Sequence, residues 1–451
     1  MINDSVPGPF RFRGSHIYLH LPFCRQRCDY CDFFTRTAVT PVRQREIVER
    51  IARHLDEFVD AESSPSFHTL YAGGGTPSSL HPGAEQSFLA LLHRYAGTGE
   101  VTVEINPEDL SPAYLDRLKS AGVTRVSLGV QTFHEAVHRT IGRHTTIEAT
   151  RRGLEMIAEG WDNRWTADLI VAVPGEDTGT VAGDLAELLS FEPSHVSVYE
   201  LGIEDHTVLG NRARNGFITA FPEDDTVRHL RLVEEILEKH GLRRYEISSY
   251  AIPGEESRHN LAYWRMRSHF GAGPGAVGTF PLHPTTHAGV DESGIPGLSA
   301  SNTSQQDVPP QLARVTNTRS FTSYLNDPDF GMTIEPLSAF DVAGELCMMG
   351  LRTVEGLDDT VFRRYAGRSF FDICARTVDA YKDAFIAGTP LPERGVPEPG
   401  AGGDGQNHLI ALDRRRWNLL DSILVDLFRD IDDYRNCYGT DSCDDPPVRR
   451  S

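Results

Sequence analysis

The stretch YLHLPFCRQRCDYCDFF, residues 18–34, runs from an apolar strand pattern directly into three cysteines, Cys24, Cys28 and Cys31. The chain holds seven cysteines, and after Cys31 the next is Cys347. Thiolates this closely spaced suit zinc or an iron–sulfur cluster, because a short loop can wrap the metal. A structural zinc site takes a second ligand pair, and C-x3-C-x2-C has no later pair of that kind; Cys437 and Cys443 stand in a polar tail. A Cys3His zinc site using His16 or His20 is the alternative, although both lie on the strand and away from the far end of the loop. Three cysteines on a cubane leave one iron with an open position, and an open metal position is where ligands bind.

The strand that delivers this loop, HIYLHL (16–21), is the first of six. TLYAGG (69–74), VTVEIN (101–106), RVSLGV (125–130), WTADLIVAV (165–173) and HVSVYEL (195–201) follow, each rich in β-branched or apolar residues. Helical patterns separate them; one opens with Ser111-Pro112 and closes with Gly122, a start and a stop signal. Such alternation predicts a parallel sheet covered by helices, in either an open sheet or a full or partial barrel. The polar motifs decide for a barrel, because they recur at the C-terminal ends of successive strands, which converge on one mouth there.

Composition sets the outer bounds. The 451 residues predict a large domain plus a smaller one, and 39% hydrophobic with 24% charged residues describe a globular chain. No apolar run reaches the roughly 20 residues of a membrane span, and the first 15 residues lack the apolar centre of a secretory signal. The expected setting is the cytoplasm, with free or metal-bound thiols. A net charge of −20 argues against a protein that coats nucleic acid or anionic membrane. The expected domains are residues 1–310, with a Pro/Ser/Thr/Gly-rich insertion at 281–313, then 311–430, then a polar tail at 431–451. Cys347, beside Met348 and Met349, reads as core, and Arg414–Arg416 as a solvated helix start.

GGGTPS (73–78) follows the second strand, where glycines allow close approach of backbone to a charged ligand. EINP brings Glu104 to the third strand end, LGVQTF brings Gln131 to the fourth, GRHT supplies Arg143, and ADLIVAVPGE holds Asp168. A guanidinium at Arg143 can pair with a carboxylate.

The cysteine spacing, with Tyr30 before the last thiol, resembles the radical S-adenosylmethionine (SAM) superfamily. There three cysteines hold a [4Fe–4S] cluster and SAM chelates the fourth iron. With YEIS, SRHNLAYW and GAGPGA following in order, the chain resembles the oxygen-independent coproporphyrinogen III oxidase-like proteins from about Tyr18 to Leu427. The resemblance implies a partial (β/α)6 barrel with a smaller, mainly helical, winged-helix-like C-terminal domain. It implies SAM contacts at Tyr18, Tyr30, Gly74, Gly75, Thr76, Glu104, Gln131, Arg143, Asp168 and Gly202. One branch, the dehydrogenases, carries a further cysteine two residues past the third and a longer N-terminal extension; here that position is Phe33. Both departures point to the branch of heme chaperones, which bind heme and pass it to an acceptor protein. HNLAYW (259–264) fits that branch: His259 offers an axial ligand, with Asn260 beside it, and Tyr263 and Trp264 offer flat apolar surface. No catalytic residue is assigned, and a homodimer is compatible with the chain. The alternatives are the dehydrogenase and an iron–sulfur structural or regulatory protein that no longer cleaves SAM.

Overall fold

The computed structural model describes residue 12 and residues 16–59, 67–97, 99–162, 164–281, 311–391 and 408–438. Most of the 281–313 insertion, the Pro/Gly loop beyond residue 391 and the tail beyond residue 438 lie outside these residues.

The chain forms two compact units, the first comprising Met1–Leu261, Ser268–Phe280 and Arg314–Ile334. Its strands are β1 (His16–Leu21), β2 (Thr69–Gly74), β3 (Glu100–Ile105), β4 (Arg125–Gln131), β5 (Arg164–Val171) and β6 (His195–Glu200). These six stand in sequence order and every neighbouring pair is parallel. The helices between them are α1 (Pro41–Phe58), α2 (Pro82–Tyr95), α3 (Pro112–Ser120), α4 (Glu135–Thr140), α5 (Ile147–Gly160) and α6 (Thr178–Leu189). Four of them start on a polar cap: Thr40, Ser111, Thr146 and Asp177 each accept a backbone N–H of the first turn. At the end of α3, Gly122 takes φ +87°, which lets Gly122 and Val123 bond back to Lys119 and Leu118 and turns the chain into β4.

Strand side chains alternate between two faces. Ile17, Leu19, Leu70, Ala72, Val101, Val103, Val126, Leu128, Ala167, Val196 and Val198 join the helices in one apolar core. The other face carries His16, Thr69, Tyr71, Glu100, Glu104, Arg125, Ser127, Asp168 and His195, many of which bond to one another across neighbouring strands. The interior is therefore polar, and its C-terminal end is where the motifs gather.

The rest of the unit departs from expectation. Residues 243–251 form β7 (Arg243–Arg244) and β8 (Ser249–Ala251), an antiparallel pair. A turn separates them, with Tyr245 donating to Ser249 and Ser248 donating to Glu246. After α7 (Val208–Arg214), α8 (Glu223–Lys239) and α9 (Arg258–Trp264) come β9 (His269–Ala272), β10 (Val277–Pro281), β11 (Leu312–Asn317), α10 (Phe321–Asn326) and β12 (Met332–Pro336). They extend the sheet to twelve strands in the order β12-β11-β10-β9-β1-β2-β3-β4-β5-β6-β8-β7. The expected change of domain near residue 310 is thus not a single cut, since Arg314–Ile334 returns to the first unit. Packing explains the return: His54 of α1 stacks on Phe330 at 4.1 Å and shares a hydrogen bond with the Tyr324 hydroxyl at 3.1 Å.

The second unit is mainly helical: α11 (Ala339–Gly350), α12 (Asp359–Ala366), α13 (Phe370–Ile373), α14 (Ala375–Ala380) and α15 (Leu420–Tyr438). Three short strands, β13 (Leu357–Asp358), β14 (Phe385–Ala387) and β15 (Leu409–Leu412), form a small antiparallel sheet. Cys347 is buried as expected. The tail expected from residue 431 is helical as far as Tyr438, because Ile431 is buried and Asp430 accepts from Thr377 and Arg376. Among the described residues no helix is long and apolar enough to cross a membrane.

Candidate functional site

The cysteine loop leaves β1 and is tied at both ends. Cys24 donates its N–H to Arg36 and Arg36 donates back to Pro22, while Gly75 and Thr76 donate to Leu21 and Phe23. Its middle is held by Asp29, which bonds to Ile141 and Leu209 through its backbone and to Arg212 through its carboxylate. Arg27 caps the last turn by donating to the Cys31 carbonyl at 2.6 and 3.0 Å.

The glycine run sits where nothing larger fits. A Cβ on Gly73 would lie 2.5 Å from the Glu104 carboxyl, and one on Gly75 would lie 2.6 Å from the Leu21 carbonyl. Gly74 takes φ +97° and donates its N–H to Glu104 at 3.0 Å. These glycines therefore bring β2 against both the cysteine loop and β3.

Cys24, Cys28, Tyr30, Cys31, Gly74, Gly75, Thr76, Glu104, Gln131, Arg143, Asp168 and Gly202 line one cavity of about 360 Å³. Cys24 Sγ lies 3.7 Å from Thr76 Oγ1, and Cys28 Sγ lies 3.7 Å from an Arg143 nitrogen. Arg143 also donates to Asn106 Oδ1 and the Gly129 carbonyl, each at 3.0 Å, and its buried Nε has no partner among the described residues. Gln131 takes φ +68° at a bulge in the β4–β5 pairing. That conformation costs a non-glycine residue about 1 kcal/mol or more and turns its side chain toward the cavity wall.

Two carboxylates face each other across this space. Glu104 accepts from the Tyr71 hydroxyl at 2.8 Å, and Asp168 accepts from Ser127 at 3.0 Å. Burial pushes Glu104 up to about 7, with the Asp168 charge adding to the rise. Burial likewise pushes Asp168 up to about 6, opposed by its bonds to Ser127 and Ser197. Groups so poised in a cleft mark a binding site.

Tyr18 stands apart from the wall, its hydroxyl 2.9 Å from His20 Nδ1. Nor do His259, Asn260, Tyr263 and Trp264 line the cavity. They lie on α9, of which the first unit takes His259 and Asn260 and the second Tyr263 and Trp264. His259 is 1% exposed, shares a 2.7 Å hydrogen bond with Thr69 and stacks on Tyr71 at 5.1 Å. Tyr71, Asn106, Ser127 and Tyr199 line the cavity without having been singled out from the sequence. Strand alternation is the signal that finds Ser127, two residues before Gly129 and four before Gln131 on the same strand.

The donor set fits an iron–sulfur cluster better than zinc. Among the described residues no three His, Cys, Asp or Glu side chains converge on a single ion. Three thiols spread around one cavity suit a cluster whose irons each take one thiolate. Of the two histidines of the zinc alternative, His20 bonds to the Phe34 carbonyl at 3.0 Å and His16 to the Thr69 hydroxyl at 2.9 Å. Burial pushes the Cys24 thiol up to about 11, so a thiolate there at neutral pH calls for a metal's charge. The glycine edge, the carboxylates and Arg143 provide anionic and cationic partners suited to a zwitterionic cosubstrate such as SAM.

A sequence profile of the Radical SAM superfamily matches residues 18–188, and that family implies a [4Fe–4S] cluster and SAM. The heme chaperone HemW of Mycobacterium tuberculosis is 37% identical over 309 residues, 63% of this chain and 77% of that protein. The heme chaperone HemW of Lactococcus lactis is 38% identical over 271 residues, 58% of this chain and 68% of that one. The solved structure of coproporphyrinogen III oxidase (HemN) from Escherichia coli superposes with a TM-score of 0.68, covering 93% of this chain and 90% of that one. At 17% identity that likeness is one of fold alone. The chain belongs to the heme chaperone HemW family of radical SAM proteins.

Proposed function

We propose that this protein binds heme and hands it to an acceptor protein, with a [4Fe–4S] cluster on Cys24, Cys28 and Cys31 and SAM beside it. The observation that carries the reading is the identity to proteins named heme chaperone, 37% over 309 residues, against 17% to the coproporphyrinogen oxidase structure. The side chain at position 33 agrees: Phe33 is 62% exposed beside the cysteines, where the dehydrogenase branch has a further thiol.

A bound, reduced [4Fe–4S] cluster supplies the electron that can cleave SAM. The chain's part is to bind and orient. Gly74, Gly75 and Thr76 would present backbone to the methionine end of SAM, Arg143 its carboxylate partner, and Glu104, Gln131 and Asp168 acceptors and donors for the remainder. Heme ligation by His259 belongs to the same proposal. Burial holds its imidazole well below the ordinary histidine range and therefore neutral, the form that ligates iron. In the conformation described the ring is enclosed, so ligation requires α9 to move outward. A second reading, oxidative decarboxylation of a porphyrinogen, draws its support from the completeness of the cavity.

The test is an anaerobic heme titration of the cluster-reconstituted full chain, followed by absorbance, with His259→Ala in parallel. The expected result is saturation near one heme per chain, weakened at least tenfold by the substitution. Absence of saturable binding overturns the chaperone reading, and coproporphyrinogen III turnover under reducing conditions would put the second reading in its place.

A further inference from the structure

We propose that Tyr71 is a positioning residue for the SAM site, its hydroxyl fixing the Glu104 carboxylate in place and in its ionised form. The inference rests on SAM occupying the cavity described above. Glu104 Oε1 accepts from Tyr71 at 2.8 Å and Oε2 from the Gly74 N–H at 3.0 Å, so each oxygen is oriented by a separate donor on β2. The Tyr71 ring cannot swing away freely, because it stacks on His259 at 5.1 Å and packs against Tyr18 at 6.2 Å, and His259 is itself bonded to Thr69. Burial, followed by the Glu104 charge, pushes the Tyr71 hydroxyl well above its ordinary range, so it remains a donor throughout the physiological range.

The surroundings define what that donor does. Glu104 faces Tyr71 and the Gly74 N–H from β2, Asp168 from β5 and Tyr199 from β6, while Arg143 acts on Asp168 from the loop beyond β4. Burial and the Asp168 charge favour the protonated acid; the Tyr71 and Gly74 bonds favour the carboxylate. With Glu104 pushed up to about 7, the Tyr71 bond shifts it toward its charged form near neutral pH. Only the charged form can pair with an ammonium or sulfonium group, and it is also the stronger acceptor for ribose hydroxyls.

Tyr71→Phe removes the hydroxyl and keeps the ring on His259. Losing the bond raises the Glu104 acid, so affinity that is present above its titration and lost below it should fail at higher pH. SAM binding to the cluster-reconstituted full chain, measured calorimetrically from pH 6 to 9, should show its falling limb moved up by about one pH unit. That corresponds to about fivefold weaker binding at pH 7 and near-equal binding at pH 9. An infrared titration of the carboxylic acid band in the cluster-free chain, assigned with Glu104→Gln, reads the same change without SAM. Weakening by the same factor at every pH, or an acid band that titrates where it does in the wild type, overturns the proposal. Failure of the wild type to bind SAM would instead remove the reading beneath it.

Discussion

The two ends of the barrel interior hold the same kinds of side chain and use them in opposite ways. At the N-terminal end Arg125 and Glu100 form an ion pair, each side chain 1% exposed. Arg125 donates further to Thr166 and to the carbonyls of Glu255 and Glu256, and Glu100 accepts from the His259 N–H. His195 and the Tyr245 hydroxyl share a 2.8 Å bond in the same layer. At the C-terminal end Glu104 and Asp168 are held by hydroxyls and a backbone N–H and are pushed up toward neutrality, and Gln131 is strained. The lower layer balances its charges within the chain. The upper layer leaves its acids poised, with the remaining balance to come from a ligand. Stability belongs to one end and binding to the other, and substitutions at the two ends should separate those properties.

The largest expected effect is at the mouth. Cys28→Ala should remove nearly all cluster iron after anaerobic reconstitution, read by iron content and visible absorbance, while urea unfolding of the cluster-free chain shifts by less than about 1 kcal/mol. A large loss of stability in that cluster-free chain would break the comparison, because the mouth would then be part of the frame.

The reverse pattern is expected at the lower layer. Arg125→Met leaves Glu100 buried without its cation and should cost about 3–5 kcal/mol in urea unfolding. Adding Glu100→Leu should recover part of that, because no buried charge is then left alone. If the double variant is no more stable than the single one, the carbonyl bonds of Arg125, rather than the ion pair, hold this layer together.

Much of this division was legible in the sequence. The six parallel strands follow from short β-branched runs, and the mouth residues follow from motifs at strand ends, since glycine, carboxylate and thiol carry recognisable chemistry. The lower layer was not legible. Thr69, Glu100, Arg125 and His195 sit at strand starts, where a polar residue reads as a solvated end, and only the inward period of the strands and the arrival of α9 bury them. His259 shows the same limit: HNLAYW is conspicuous as a motif, yet nothing local reveals that its imidazole points into the barrel. The return of Arg314–Ile334 to the first unit depends on long-range packing against His54 and leaves no periodic signal either.

The smallest energetic effect sharpens the comparison most. Gln131 holds φ +68° at the β4–β5 bulge, a strain that glycine would relieve. Glycine also gives the unfolded chain more freedom, which costs about 0.5–1 kcal/mol. The two terms oppose each other, so Gln131→Gly should leave unfolding within about 1 kcal/mol of the wild type. If the strained conformation exists to aim the side chain at the cosubstrate, SAM affinity should nevertheless fall about tenfold or more, with little change in its pH dependence. Unchanged affinity would mean that the bulge only shapes the strand end. A loss of several kcal/mol would mean that Gln131 belongs to the frame, and the line between the two layers would have to be drawn closer to the mouth.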